Sequence, residues 1–286
     1  APRSGHGGAA AVIDAQRSHP VIEPAVSHLL YNLATWLAKP LLRRKLHRRG
    51  AAEPGYLEAV PERFGHYTMA RPEDGGPLVW IHAVSLGETR AAAILLAALR
   101  EHLPDMRLLL THGTATGRAE GQKLLRPGDV QVWQPWDTPD AVRRFLRHFR
   151  PDAGVLMETE VWPNLVLESA AQGVPLALAN ARLSEKSLRG AQRVGWLMRP
   201  AYRALAAAWA QTEADAARLR QLGAPVAAVF GNLKFDAEPD AALLARGRAW
   251  RAQAGRPVVM LASSREGEEA ELLTRIRELA VGTGAA

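Results

Sequence analysis

Cysteine is absent from the 286-residue sequence, which excludes disulfide bridges, thiolate metal ligands and a cysteine nucleophile and fits a reducing compartment. Also missing is an apolar run of the ~20 residues that a membrane-spanning helix needs. The uncharged stretch 24–38 is shorter than that and contains Ser27, His28, Asn32 and Thr35. Among nine histidines none has the H-E-x-x-H spacing, and there is no G-x-S-x-G elbow, so zinc and serine hydrolase chemistry are removed. What is present is a chain 48% apolar, long enough to bury a core in one large or two modest domains.

The net charge of +7 is uneven. Arg3, Arg17, Lys39, Arg43, Arg44, Lys45, Arg48 and Arg49 face only Asp14 and Glu23, which leaves the remainder nearly neutral. A nucleic-acid surface spread over the globular part is therefore not expected. Residues 1–24 read as a disordered extension. Residues 25–50 read as an amphipathic helix with a basic flank, its Leu29, Leu30, Leu33, Trp36, Leu37 and Leu41 on one side and His28, Asn32, Thr35 and Lys39 on the other. Pro40 should kink or end it. The pattern admits two readings, a helix lying in an anionic lipid interface or one packed on the domain with a solvated basic end.

From Pro77 onward, short apolar runs (PLVWIHA, MRLLLTH, VQVWQ, AGVLMET, PLALAN, AAWAQ, VAAVF) alternate with segments of helical periodicity. That alternation predicts βαβ units and an α/β, Rossmann-like parallel sheet flanked by helices. The runs are continuous, as in strands covered on both faces. Helix starts are expected at Ser85 with Glu88, Thr138 before Pro139, and Thr212 with Asp215. We expect 51–236 to form this domain. Residues 237–286 would be a linker and the opening of a second domain, with a polar helix near 241–252, a strand RPVVMLASS and a charged helix from Glu266.

Ligands of open α/β sheets sit beyond the carboxyl ends of the strands, so the residues after each run are the candidates. Glu88 can act as a general base, or close a capping box with Ser85. Thr114, Thr116 and Gly117 suit an anion at a strand-to-helix turn or cap that helix, and THGTATG has neither the P-loop lysine nor the G-x-G-x-x-G spacing. Glu158 and Glu160 would share one side if the strand stays extended. Two such carboxylates suit the positioning of sugar hydroxyls better than a metal, for which further ligands are not evident. Asn180 and Arg182 follow the next strand, the arginine available for a phosphate or for a structural ion pair with a glutamate.

Taken together, PGY…ERFGHY (54–67), WIHAVSLGE, PWDTPDAVRRFL, RPDAGVLMETEVWPNL, ANARLSEKS, GNLKFD and REGEE resemble, in order, the signatures of the 3-deoxy-D-manno-octulosonic acid (Kdo) transferases, from about residue 29 to 269. The resemblance implies a two-domain GT-B glycosyltransferase, metal-independent and inverting, that needs no cofactor. It would move Kdo from CMP-Kdo to a phosphorylated lipid A precursor at the cytoplasmic face of a Gram-negative inner membrane. It further implies that the amino-terminal domain binds acceptor and that Glu88 is the base. Residues 25–49 would meet the anionic membrane surface, and Ser263, Ser264 and Glu266 would begin the donor side. The family's glycine-rich donor segment has no counterpart before Ala286, so the chain alone is not expected to turn over. Where the family reads T-P-T-G-S-E, this chain has TATGRAE, with Ala115, Arg118 and Ala119 as departures, and Arg265 stands where histidine is common. Other readings are a GT-B enzyme with a different nucleotide sugar and a noncatalytic module that docks on membrane.

Overall fold

The computed structural model describes residues 26–72, 75–237 and 239–282, so the extension assigned to 1–24 lies outside the described residues. The chain divides into two compact units, 1–237 and 238–286. In the first, helices α1 (Val26–Leu37) and α2 (Lys39–Ala52) precede two 3₁₀ turns (Pro54–Leu57 and Val60–Phe64). Then come β1 (Leu78–His82), α3 (Leu86–His102), β2 (Arg107–His112), α4 (Ala115–Gln122), β3 (Val130–Trp133), α5 (Pro139–Phe149), β4 (Ala153–Met157) and α6 (Pro163–Ala171). The unit continues with β5 (Leu176–Ala181), α7 (Glu185–Arg193), α8 (Gly195–Arg203), β6 (Ala207–Ala210), α9 (Glu213–Leu222), β7 (Val226–Val229) and a 3₁₀ turn (Leu233–Asp236).

All seven strands are parallel, in the order β3-β2-β1-β4-β5-β6-β7. This is the doubly wound α/β arrangement expected from the alternation. Because side chains alternate along a strand, Leu78 and Trp80 of β1 enter a core with Phe145, Phe149 and Leu165, while Val79 and Ile81 enter a second with Ala91, Ala92 and Leu96 of α3. Both faces are thus buried, which explains runs with no polar alternation. Ser85, Thr114 and Thr212 cap their helices by accepting from the Glu88, Gly117 and Asp215 amides. Thr138 occupies the N-cap of α5 without a side-chain bond to the helix, where Pro139 supplies the preset turn instead.

The amphipathic segment breaks at Ala38, just before Pro40, as expected. Helix α1 docks by its polar side. Tyr31 donates to Asp137 (2.7 Å), His28 contacts Asn164 (2.9 Å), and Lys39, at the start of α2, pairs with Asp140 (2.8 Å). Leu29, Leu30, Leu33, Trp36, Leu37 and Leu41 are all exposed, each by more than half. The helix therefore does lie on the domain, with its orientation reversed from that of an ordinary core-packed helix.

The second unit contains α10 (Ala241–Gln253), capped by Asp240, and α11 (Glu268–Gly282). The expected strand over 256–264 is not formed. A strand exists only through a ladder to a neighbour, and among the described residues of this unit there is no second strand. Val259 and Met260 stand exposed.

Candidate active site

The strand order turns back between β1 and β4, the point at which open α/β sheets take their ligands. The loops after His82 and Met157 lie at that point. In the first of them Val84 is the hub. Its amide donates to Glu88 Oε2 (2.9 Å), and its carbonyl accepts from the Thr114 hydroxyl (2.8 Å) and the Thr114 amide (3.0 Å). Ser85 Oγ accepts from the Glu88 amide (3.3 Å) and donates to Glu88 Oε1 (2.9 Å). A capping box is formed, with the carboxylate returning to the residue before the N-cap.

Each carboxylate oxygen keeps a lone pair beyond these bonds, so capping and proton acceptance are compatible. Burial raises the Glu88 carboxyl above its ordinary value, and the negative charge of Glu160 adds to this; the Val84 and Ser85 bonds offset only part. A raised carboxyl is a stronger base once ionised. Burial acts upward on Glu160 as well, but there His82 and the Trp162 indole (Nε1 to Oε2, 2.8 Å) outweigh it and hold the group low. His82, fully buried at the end of β1, is fixed by Nδ1 on Thr111 Oγ1 (2.9 Å). Its Nε2 has no hydrogen-bond partner and lies 3.9 Å from Glu160 Oε2.

Glu158 and Glu160 do not share a side. The strand ends at Met157 and Glu158 takes a left-handed φ of +55°, so the chain turns and separates them. Buried Glu158 accepts from Arg182 Nε (2.8 Å) and Lys234 Nζ (3.1 Å). The ion-pair alternative for Arg182 is therefore formed, although its side chain stays 58% exposed with only Nε engaged among the described residues. Asn180, with φ +51°, uses Oδ1 to hold the Leu233 amide (3.1 Å). Through these bonds the 3₁₀ turn Leu233–Asp236 is tied to the ends of β4 and β5. Lys234 Nζ also lies 4.0 Å from where a Cβ on Gly87 would stand, which brings this cluster against the start of α3.

The glycine in the first turn of α4 is required by a close approach. A Cβ on buried Gly117 would lie 2.7 Å from the Val84 carbonyl. Thr116 is exposed and belongs elsewhere, lining a hollow of about 460 Å³ with Glu53, Gly55, Glu58, Arg118 and Gln131. Arg118 pairs there with Glu62 (3.3 Å) and lies over the Trp133 ring (4.9 Å). The same ring receives the buried Arg63 guanidinium at 3.9 Å, whose Nη2 donates to the Gly113 carbonyl (3.2 Å) and so supports the turn. Ser85, Glu88, Thr114, Gly117 and Glu160 therefore gather around the β1 loop, and Glu158, Asn180 and Arg182 form an adjoining cluster. Ser263, Ser264 and Glu266 belong to the second unit, where Ser263 has φ +61° and the Ser264 hydroxyl contacts Glu269 (2.5 Å).

The sequence model of the 3-deoxy-D-manno-octulosonic-acid transferases (Kdo transferases) matches residues 58–237. This chain belongs to that family. A 3-deoxy-D-manno-octulosonic acid transferase of Bordetella pertussis is 46% identical over 256 residues, covering 87% of this chain and 59% of the relative. One from Haemophilus influenzae is 28% identical over 255 residues with the same two coverages, 87% and 59%. A probable mitochondrial one from Arabidopsis thaliana is 38% identical over 160 residues, 56% of this chain and 35% of that protein. The chain thus spans about three fifths of the two bacterial relatives' length, and these relatives are named as 3-deoxy-D-manno-octulosonic acid transferases. Two residues at this site, His82 and Lys234, lie outside the candidates expected from the strand ends. His82 was hidden because it closes an apolar run. Lys234 follows the last strand, so the same rule applied once more, to GNLKFD, would have reached it.

Proposed function

We propose that the chain is the acceptor-binding part of an inverting, metal-independent GT-B glycosyltransferase that transfers Kdo from CMP-Kdo to a lipid A precursor. The observation that carries the reading is Glu88, a half-buried carboxylate with raised proton affinity at the point where the strand order turns back. In the reaction Glu88 takes the proton of an acceptor hydroxyl as that oxygen bonds to the anomeric carbon of Kdo. The bond from that carbon to the CMP oxygen breaks with inversion, and CMP leaves with the electron pair. Glu160 keeps Glu88 basic by its charge. Ser85, Thr114 and Gly117 hold the base loop, while Glu158, Glu160, Asn180 and Arg182 serve the acceptor's hydroxyls and phosphates. Ser263, Ser264 and Glu266 belong to the donor side.

The same reading makes the enzyme peripheral at the cytoplasmic face of the inner membrane. It is supported by the outward leucine and tryptophan stripe of α1 and by the basic α2. Among the described residues no helix is long and apolar enough to cross a membrane.

Calorimetric titration of the chain with a lipid A precursor in detergent micelles tests acceptor binding alone, and absence of binding overturns that part. For transfer, the chain is continued by the portion of the Bordetella pertussis relative beyond the aligned segment and given labelled CMP-Kdo. Transfer that falls ~10²–10⁴-fold in Glu88→Gln is expected of a lost general base. Undiminished transfer in that variant removes the base assignment, and use of a different nucleotide sugar in preference to CMP-Kdo removes the substrate.

A further inference from the structure

We propose that the α7–α8 corner is a second contact with an anionic bilayer, an inference that rests on the membrane reading of α1. Residues 185–203 contain Lys186, Arg189, Arg193, Arg199 and Arg203, all exposed, against the single acid Glu185. Among these cations only Arg189 has a carboxylate partner within the described residues, Glu185 at 3.6 Å. Leu188, Leu197, Ala201 and Tyr202 face the core, which leaves Val194 (38% exposed) and Trp196 (49%) outside at the turn between the two helices. An exposed indole on a segment rich in arginine is the composition that settles at headgroup depth.

Helix α8 packs against α1, the helix that carries the exposed Leu29, Leu33 and Trp36. That packing selects the occupant. A nucleic acid would satisfy the arginines but leave the aliphatic stripe in water, whereas a bilayer with anionic headgroups covers both. One helix lying in an interface leaves a domain free to rotate about the helix axis, and a second contact off that axis removes the freedom. Arg182, which holds Glu158, lies two residues before the N-cap of α7, so the second contact also fixes how the strand-end cluster is presented to the membrane.

The test uses sedimentation of the 286-residue chain with phosphatidylcholine vesicles, with and without 30% phosphatidylglycerol. We expect binding to require the anionic lipid and to be weakened by salt. At roughly fivefold per basic residue near the surface, Arg193→Ala with Arg199→Ala should lower partitioning about 25-fold, and Trp196→Ala several-fold, with unchanged melting temperature. Leu33→Ser with Trp36→Ser reports on α1 separately. Because the chain has no cysteine, Trp196→Cys carrying an environment-sensitive dye gives a second measurement independent of affinity, and its emission should shift to the blue on anionic vesicles. Loss in the α1 variant together with wild-type binding in the α7–α8 variants and no dye shift overturns this proposal and leaves the α1 reading intact. Unchanged binding in the α1 variant overturns that reading instead. Displacement of the chain from vesicles by single-stranded RNA, with the dye shift reversed, overturns lipid as the occupant.

Discussion

Glu88 serves two purposes that two substitutions separate. Replacing it by alanine removes the acceptors of the Val84 amide and the Ser85 hydroxyl. A polar group left without its partner in a part-buried site costs about 1–3 kcal/mol, and loss of a first-turn acid about 0.3–1 kcal/mol. Alanine's better helix propensity returns up to about 0.7 kcal/mol, and relief from burying a charge acts in the same direction. The net expectation is about 1–2 kcal/mol, which at ~2–4 °C per kcal/mol for a domain of this size lowers the melting temperature by roughly 2–8 °C. Glutamine keeps an oxygen for the Val84 amide and can donate to Ser85 Oγ, so Glu88→Gln should stay within ~0.5 kcal/mol of the parent while lacking the basic oxygen. Thermal unfolding followed by circular dichroism separates the two variants.

The pH dependence gives an independent reading of the same carboxyl. Its folded value is raised, so between the unfolded value of ~4.3 and the folded one the native state holds more protons than the unfolded chain. Stability relative to Glu88→Gln must then fall as pH rises through that window and become level above it. A difference that grows with pH, or Glu88→Gln melting as low as Glu88→Ala, refutes the account of a buried carboxylate kept basic by its surroundings.

Asp137→Ala should cost about 3 kcal/mol or more in urea unfolding, because Tyr31 and the Asn164 and Leu165 amides all lose their acceptor; a loss under ~1 kcal/mol refutes this. Gly117→Ala forces a methyl to 2.7 Å from the Val84 carbonyl, and we expect a loss of about 1–3 kcal/mol with displaced NMR signals for residues 83–88. Burial acts to raise Asp140, but the Lys39 and Arg144 hydrogen bonds overcome it and hold the group low. The contribution of that pair is therefore present above the unfolded value of ~3.9 and is lost as pH falls toward the folded one. Hydrogen exchange in 26–37 should accelerate below about pH 4 ahead of α5, and equal protection at pH 3 and pH 7 refutes the role of the pair.

Much of the architecture was legible in the amino-acid order because its causes are local. Continuous apolar runs mark strands covered on both faces, a hydroxyl three residues before the amide it accepts from marks a helix start, and Pro40 marks the break between α1 and α2. The failed expectation at 256–264 has the opposite cause, since a strand is a property of a pair and its partner cannot be read from the run itself. The same limit governs the site. That Glu158 turns away to Arg182 and Lys234 while Glu160 faces His82 follows from a left-handed residue at the end of β4 and from a turn 76 residues downstream in sequence. The pattern of α1 showed two faces without showing which one meets the domain. Asp137, Asn164 and Asp140, more than a hundred residues from their partners, settle that through hydrogen bonds that exist only once the sheet has brought the starts of α5 and α6 together.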